Sequence, residues 1–269
     1  MKIQRRRKKS ERSEQEKISM EIKSYKKDAE YSYTLGAFPT FELLDAMPEY
    51  VEEVIVHSSF TDRDKLEQKC ISAGHRIPVT ENNKLIAKLS DKENVYVIGV
   101  FKKLEQQLDP DKPHVVLVNP GNMGNLGTII RTACGFGIND MAIIEPAADA
   151  FNPKTVRASM GSLFRIRHQS FESFEEYMRV FDCEPKAAGQ GALRRSIFTF
   201  MLNGKKPLTV ADCPKPALYS LVFGNEATGL PNEFLDYGTS IIIPQTEFVD
   251  SLNLTIAAGI GMYMFSTFS

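Results

Sequence analysis

Tryptophan is absent from this chain of 269 residues, and cysteine and histidine number only four each. Cys70, Cys134, Cys183 and Cys213 make no C-x-x-C pair, and His57, His75, His114 and His168 keep no ligand spacing with one another or with cysteine. No metal site is therefore expected. Behind the basic N-terminus there is no apolar stretch of the kind a secretory signal needs, so a cytoplasmic protein with reduced thiols is expected. Long hydrophobic runs are also lacking. The nearest, Ser251 to Ser269, is nineteen residues without a charge, yet it holds Asn253, three Ser, two Thr and two Gly and has no basic flank. That composition favours a buried helix over a membrane span. An excess of one charge is missing too, with 33 Lys and Arg against 34 Asp and Glu.

What remains is an ordinary globular balance of 42% hydrophobic and 25% charged residues, which excludes wholesale disorder, collagen and coiled coil. The near-zero net charge hides an asymmetry. Residues 1–27 hold eleven Lys or Arg and four Glu, a net of +7, which leaves −8 for the rest. Residues 1–29 therefore read as a basic arm, either a solvated tail or a contact for phosphates. From Tyr31 onward short elements alternate: a helix at Thr40–Met47, a strand at Val51–His57, a helix at Asp62–Ala73, a strand at Arg76–Thr80, a helix at Asn83–Leu89 and a strand at Val95–Phe101. Residues 30–102 thus form a small α/β domain. Residues 103–113, with Asp109-Pro110 and Pro113 and no apolar period, read as a linker.

A second domain, 114–269, opens with a strand at Val115–Asn119, a glycine-rich loop at Gly121–Gly127, a helix from Gly127 to about Cys134 and a strand at Met141–Glu145. Strand, helix and strand within about thirty residues define a βαβ unit and predict a parallel sheet. Two further apolar strands are expected at Leu218–Phe223 and Ser240–Ile243. The strands at 115, 218 and 240 each run into a polar loop, and ligands of open α/β sheets bind at such carboxyl ends.

The first loop has the glycine spacing G-x-x-G-x-x-G over Gly121, Gly124 and Gly127, not the G-x-G-x-x-G of a dinucleotide site. Arg131 lies one turn further on. By position it either binds a phosphate or orients a substrate hydroxyl, or it is a surface arginine in an ion pair. Glu226, in the loop Gly224–Pro231, is a turn residue, a helix N-terminal charge or a carboxylate presented to the pocket. In the third loop Asp250 or Ser251 suits the N-cap of the apolar helix that follows, and Asn253, if buried beside Ala257, Ala258, Gly259 and Gly261, must be hydrogen-bonded.

Three strings, Asn125-Leu126-Gly127-Thr128-Ile129-Ile130-Arg131-Thr132-Ala133, Phe223-Gly224-Asn225-Glu226-Ala227-Thr228-Gly229-Leu230, and Ile243-Pro244 through Ser251-Leu252-Asn253-Leu254, resemble in order and spacing the motifs of the SpoU (TrmH) class of RNA ribose 2′-O-methyltransferases of the SPOUT superfamily. Asn152-Pro153-Lys154 and Arg157-Ala158-Ser159-Met160-Gly161 are similar to the segment after the first motif. Tyr33-Thr34-Leu35-Gly36, Phe38-Pro39-Thr40 and Asn94 to Phe101 resemble the substrate-binding domain of many members. Two positions depart from the pattern: Asn122 stands where an acid is frequent, and Gln245 where a Met often follows the proline.

The resemblance implies methyl transfer from S-adenosyl-L-methionine to a ribose 2′-hydroxyl, in a homodimer whose C-terminal domain carries a trefoil knot. It implies a cofactor held by Gly224, Ile243 and Leu252. Arg131 would activate or orient the ribose hydroxyl, Asn125 would support the first loop, and Glu226, Ser251 and Asn253 would shape the site. The small N-terminal domain is similar to ribosomal-protein-like modules, which favours rRNA over tRNA as the partner RNA. A tRNA methyltransferase, or an RNA-binding protein of this fold without turnover, is the alternative; a nicotinamide-dependent oxidoreductase is disfavoured by the glycine spacing.

Overall fold

The computed structural model describes residues 24–90, 94–181, 195–214 and 216–266, so the basic arm up to residue 23 and Cys183 lie outside the described residues. Two compact units divide the chain: one runs to Lys103 and takes in Phe151–Arg157, the other holds Leu104–Ala150 and the chain from Ala158 onward.

In the first unit, β1 (Tyr31–Tyr33), β2 (Val51–Val56), β3 (Val79–Glu81) and β4 (Val97–Lys102) form a sheet of order β1-β4-β2-β3. Only the β2–β3 pair is parallel. Asn82 caps the helix Asn83–Leu89 by accepting the Leu85 N–H at 3.0 Å, which places Leu85 and Ile86 in one buried cluster with Ile55, Ile98 and Val100. Helices Ala37–Ala46 and Arg63–Ile71 complete the unit.

The second unit is built on seven strands: β5 (His114–Val118), β6 (Asp140–Ile144), β7 (Arg167–Phe171), β8 (Ser196–Phe200), β9 (Lys206–Pro207), β10 (Tyr219–Phe223) and β11 (Thr239–Ile242). Their order is β7-β6-β5-β10-β8-β11-β9, and every neighbouring pair is parallel. The two-residue period of a strand sorts the side chains. Val116, Val118, Val222 and Ile197 join Phe174, Tyr177 and Phe234 in one cluster, whereas Phe198, Phe200 and Phe223 point to the opposite face. There Phe265 lies 4.7 Å from Phe198 between ring centroids, and Phe200 stacks on Phe223 at 4.5 Å. Helix Leu254–Phe265 covers these rings. Its Gly261 is required by proximity, because a Cβ there would stand 2.8 Å from the Phe200 ring and 2.9 Å from that of Phe223. The same helix packs on helix Met123–Gly135, with Gly259 against Thr132.

Several expectations are corrected. The first motif is helical from Met123, not from Gly127, because Asn122 accepts the N–H groups of Gly124 and Asn125 at 2.8 and 3.0 Å and so nucleates the helix four residues earlier. The cap of the last helix is Asn253 itself, not Asp250 or Ser251; its Oδ1 accepts the Thr255 N–H at 2.8 Å, and the residue is exposed, not buried. Strands β7 and β8 and helix Phe174–Val180 were not expected from the sequence. Within 103–113, Leu108 is buried in the second unit and the Asp109 N–H bonds the Asp140 carboxylate at 2.8 Å, so this connection is docked.

Under the sheet lies a buried polar network. His114 Nε2 sits 2.8 Å from the Asp109 carbonyl and Nδ1 2.8 Å from the Tyr177 hydroxyl. The carbonyl can only accept, so Nε2 carries the proton and Nδ1 accepts from Tyr177. Arg195, 3% exposed, donates to the carbonyls of Pro110, Lys112 and Tyr219. Burial, and then the Arg195 charge, push the His114 pKa down to about 4 from the ordinary 6.5, and burial also brings His168 to about 4. A depressed histidine pKa means that the unfolded chain binds protons first as pH falls. Stability is then full above pH 6.5 and declines between 6.5 and about 4. Urea unfolding at pH 7.5 and pH 5 should show a loss on the order of 1–3 kcal/mol for each histidine. His114→Gln should flatten that slope; an unchanged slope would rule the network out as its source.

Candidate active site

The carboxyl ends of β8, β10 and β11 open into one cavity of about 340 Å³. Its wall comes from Phe200 to Asn203 after β8, Phe223 to Leu230 after β10, Ile241, Ile243 and Gln245 along and after β11, and Ser251, Leu252, Leu254 and Ala257 at the last helix, with Asn232. Apolar faces from Phe200, Phe223, Leu230, Ile241 and Leu252 alternate with amide and hydroxyl groups. Among the lining residues the only ionisable group is Glu226; no Lys or Arg is present. An anionic pyrophosphate would find no countercharge here, whereas a neutral or cationic ligand meets no opposition.

Glu226 closes the site from the side. One carboxylate oxygen accepts the Gly121 N–H at 3.0 Å; the other accepts the Asn122 N–H at 3.1 Å and Asn125 Nδ2 at 3.2 Å. Next to it, Asn225 Nδ2 donates to the Asn119 carbonyl at 2.8 Å, and Asn225 Oδ1 accepts the Ala227 N–H at 2.9 Å. Partial burial disfavours the Glu226 charge, but the donors from Gly121, Asn125 and Asn122 outweigh it and hold the carboxyl below its usual range. The second motif is thereby clasped to the first across a hundred residues of chain.

The sequence-derived residues fall into three groups. Gly224, Glu226, Ile243, Ser251 and Leu252 line the cavity. Asn125 reaches it through its bond to Glu226. Arg131 is exposed in the middle of helix Met123–Gly135, away from the cavity wall and without a hydrogen bond or ion pair among the described residues; Asn253 acts as the cap of the last helix. Met201, Leu202 and Asn203 were missed, because they follow β8, a strand the sequence reading passed over; a five-residue run Ser-Ile-Phe-Thr-Phe with alternating β-formers was the available signal.

Gly224 is fixed by close approach. A Cβ on it would lie 2.2 Å from the Gly229 carbonyl carbon and 2.4 Å from its oxygen, both backbone atoms that cannot rotate aside. The loop is held at that width by the Asn225 and Gly229 N–H groups, each bonded to the other's carbonyl at 3.2 and 2.9 Å. Gly224→Ala is expected to spread the loop, costing about 2 kcal/mol or more in stability and abolishing saturable ligand binding in the cavity. Calorimetric titration beside a thermal melt checks both; binding at wild-type affinity would show that the loop tolerates the methyl.

A seven-stranded parallel sheet with a largely apolar, cation-free cavity at the carboxyl ends of its strands defines an α/β domain for a small ligand. The SpoU rRNA Methylase family model matches residues 112–263, more than half of the chain, and the chain belongs to that family. It is 33% identical over 152 residues to the 23S rRNA (uridine(2479)-2′-O)-methyltransferase of Streptomyces viridochromogenes, covering 55% of this chain and 50% of that protein. It is 31% identical over 143 residues to the 23S rRNA (guanosine(2553)-2′-O)-methyltransferase RlmP of Bacillus subtilis, covering 52% of each. The chain thus spans about half the length of these curated relatives. A solved AdoMet-bound rRNA methyltransferase from Sinorhizobium meliloti is 27% identical with a TM-score of 0.68, covering 87% of this chain and 86% of that one.

Proposed function

We propose that the protein methylates a ribose 2′-hydroxyl of RNA with S-adenosyl-L-methionine, and that its substrate is ribosomal RNA. The observation that carries this reading is the cavity wall, whose only ionisable member is an acid. Its volume of about 340 Å³ suits one nucleoside-sized ligand, and its alternation of aromatic faces with amides suits an adenine flanked by polar groups. The residues present therefore fit the cofactor. When bound, S-adenosyl-L-methionine supplies an electrophilic methyl group on a cationic sulfonium.

The protein's own groups divide the work. Gly224, Ile243 and Leu252 hold the cofactor with the main chain of their loops. Arg131 orients the ribose hydroxyl and disperses the charge that develops on its oxygen; a guanidinium stays protonated at neutral pH, so its contribution is electrostatic. Asn125 and Glu226 fix the first loop, Ser251 shapes the cavity floor, and Asn253 sets the start of the last helix. Residues 30–102 engage the RNA and 114–269 carry out the transfer, as a cytoplasmic homodimer whose motif loops are threaded through a trefoil knot. The names of the two curated relatives support the rRNA assignment. Another relative, 28% identical over 154 residues, is named as a tRNA (cytidine(34)-2′-O)-methyltransferase of Listeria innocua, so tRNA belongs in the test.

Tritiated methyl transfer to unmodified rRNA transcripts and, separately, to unmodified tRNA checks the proposal. Label in rRNA, recovered as alkali-resistant dinucleotides, is the expected result. Label in tRNA alone would replace the substrate, and cofactor binding with no label in either pool would leave an RNA-binding protein without turnover.

A further inference from the structure

The third loop carries a side chain that neither the fold nor the cavity uses. Gln245 Nε2 donates to the Asp250 carbonyl at 3.3 Å, tying the two ends of the loop together. Phe248 stands at the tip between them and is 89% exposed. A lone exposed phenylalanine is common on protein surfaces and acquires meaning only from its place. The place is informative: Gln245 on one side and Ser251 on the other both line the cavity, so the ring stands at the rim of the site. Glu247 and Asp250 flank it, and both are exposed. Two carboxylates repel a phosphate backbone, whereas the uncharged face of a nucleobase stacks on an aromatic ring whatever its sequence.

We propose that Phe248 is a positioning residue that stacks on the base of the RNA nucleotide presented to the cavity, holding it while the ribose is aligned. This rests on the RNA methyl-transfer reading above. The ring does not touch the reacting atoms; it acts by fixing the nucleotide that carries them.

Because the wild-type chain has no tryptophan, Phe248→Trp gives a protein with a single indole at this spot, a reporter that needs no turnover. Val210→Trp, at a position 87% exposed and outside the three loops, is the control. Adding unmodified 16S and 23S rRNA transcripts should quench the indole at 248 and leave the one at 210 unchanged. In methyl transfer, Phe248→Ala should raise the KM for the methylated transcript by roughly 10- to 100-fold with unchanged cofactor affinity and melting temperature. Phe248→Tyr should restore it and Phe248→Leu should not. An unquenched indole at 248 with a transcript that is methylated, or Leu performing as well as Tyr, overturns the stacking role. A lower molar mass of Phe248→Ala in light scattering also overturns it and assigns the ring to a protein contact. Quenching without any methyl transfer by the wild type would keep the stacking and sink the activity; neither signal would remove both.

Discussion

Arg131→Ala is expected to fold, melt and bind S-adenosyl-L-methionine like the wild type while losing methyl transfer by about 100- to 10,000-fold. The fold side follows from its setting. The side chain is exposed, sits mid-helix and has no hydrogen bond or ion pair among the described residues. Arg and Ala are both good helix formers, and an exposed substitution of this kind moves stability by about 0.5 kcal/mol or less. The cofactor side follows from its absence from the cavity wall. A cation kept on the helix that carries the first motif, with no ion-pair partner among the described residues, is available to an incoming RNA. Single-turnover transfer, isothermal titration with the cofactor and a thermal melt separate the three quantities. A loss below about ten-fold, or a parallel loss of cofactor affinity, would remove Arg131 from the chemistry.

Glu226→Gln is expected to cost both stability and rate, in contrast to Arg131→Ala. The carboxylate accepts from Gly121, Asn122 and Asn125 with its two oxygens. An amide keeps one oxygen and turns an NH₂ toward a backbone N–H, so at least one donor loses its acceptor. Since these bonds are partly solvated, the loss is about 1–2 kcal/mol, below that of fully buried charged bonds. The larger effect is on the first loop, which loses its clasp. A displacement on the order of 1 Å there costs about 100-fold in rate. The pH dependence has a definite sign. The folded carboxyl titrates below its usual 4.5, so its stabilisation is complete above that value and is lost as pH falls through the lower folded value. Denaturant midpoints between pH 6 and pH 3 for wild type and Glu226→Gln measure it. Equal falls in both would show that the clasp contributes nothing.

Local chemistry was legible in the sequence, and distant pairing was not. Of the strands that feed the site, β10 and β11 were placed within a residue or two, as was the neighbouring β5, since Val115–Leu117, Leu221–Phe223 and Ile241–Ile242 are short apolar runs that end at polar loops, whereas β8 was not. The missed strand β7, Arg-His-Gln-Ser-Phe, is an edge strand whose Arg167, Gln169 and Ser170 remain partly or fully exposed, so no apolar run marks it. Asn122 and Asn253 illustrate a different limit. Both were seen, one as a departure from a motif and one as a residue to be buried, and both turn out to be helix caps, a role their type favours strongly. Of the local readings of Glu226, the carboxylate presented to the pocket agrees with its place in the cavity wall, but its clasp on the first loop was not legible, because its partners at Gly121, Asn122 and Asn125 lie about a hundred positions away and only the β5–β10 pairing brings them together.

That pairing has a bearing on synthesis. Ser220 lies opposite His114 and Leu221 opposite Val115, so β5, which gains β6 on one edge soon after it is made, must wait for about a hundred further residues before the neighbour on its other edge exists. β10 then enters between β5 and β8, both earlier in the chain. Loop closure over such distances is slow, and during translation the apolar edge of β5, Val115 to Val118, stays open to other chains. The nascent chain is thus most exposed to aggregation between the emergence of residues 118 and 223, a window in which shielding by a chaperone, or by the ribosome itself, would matter most.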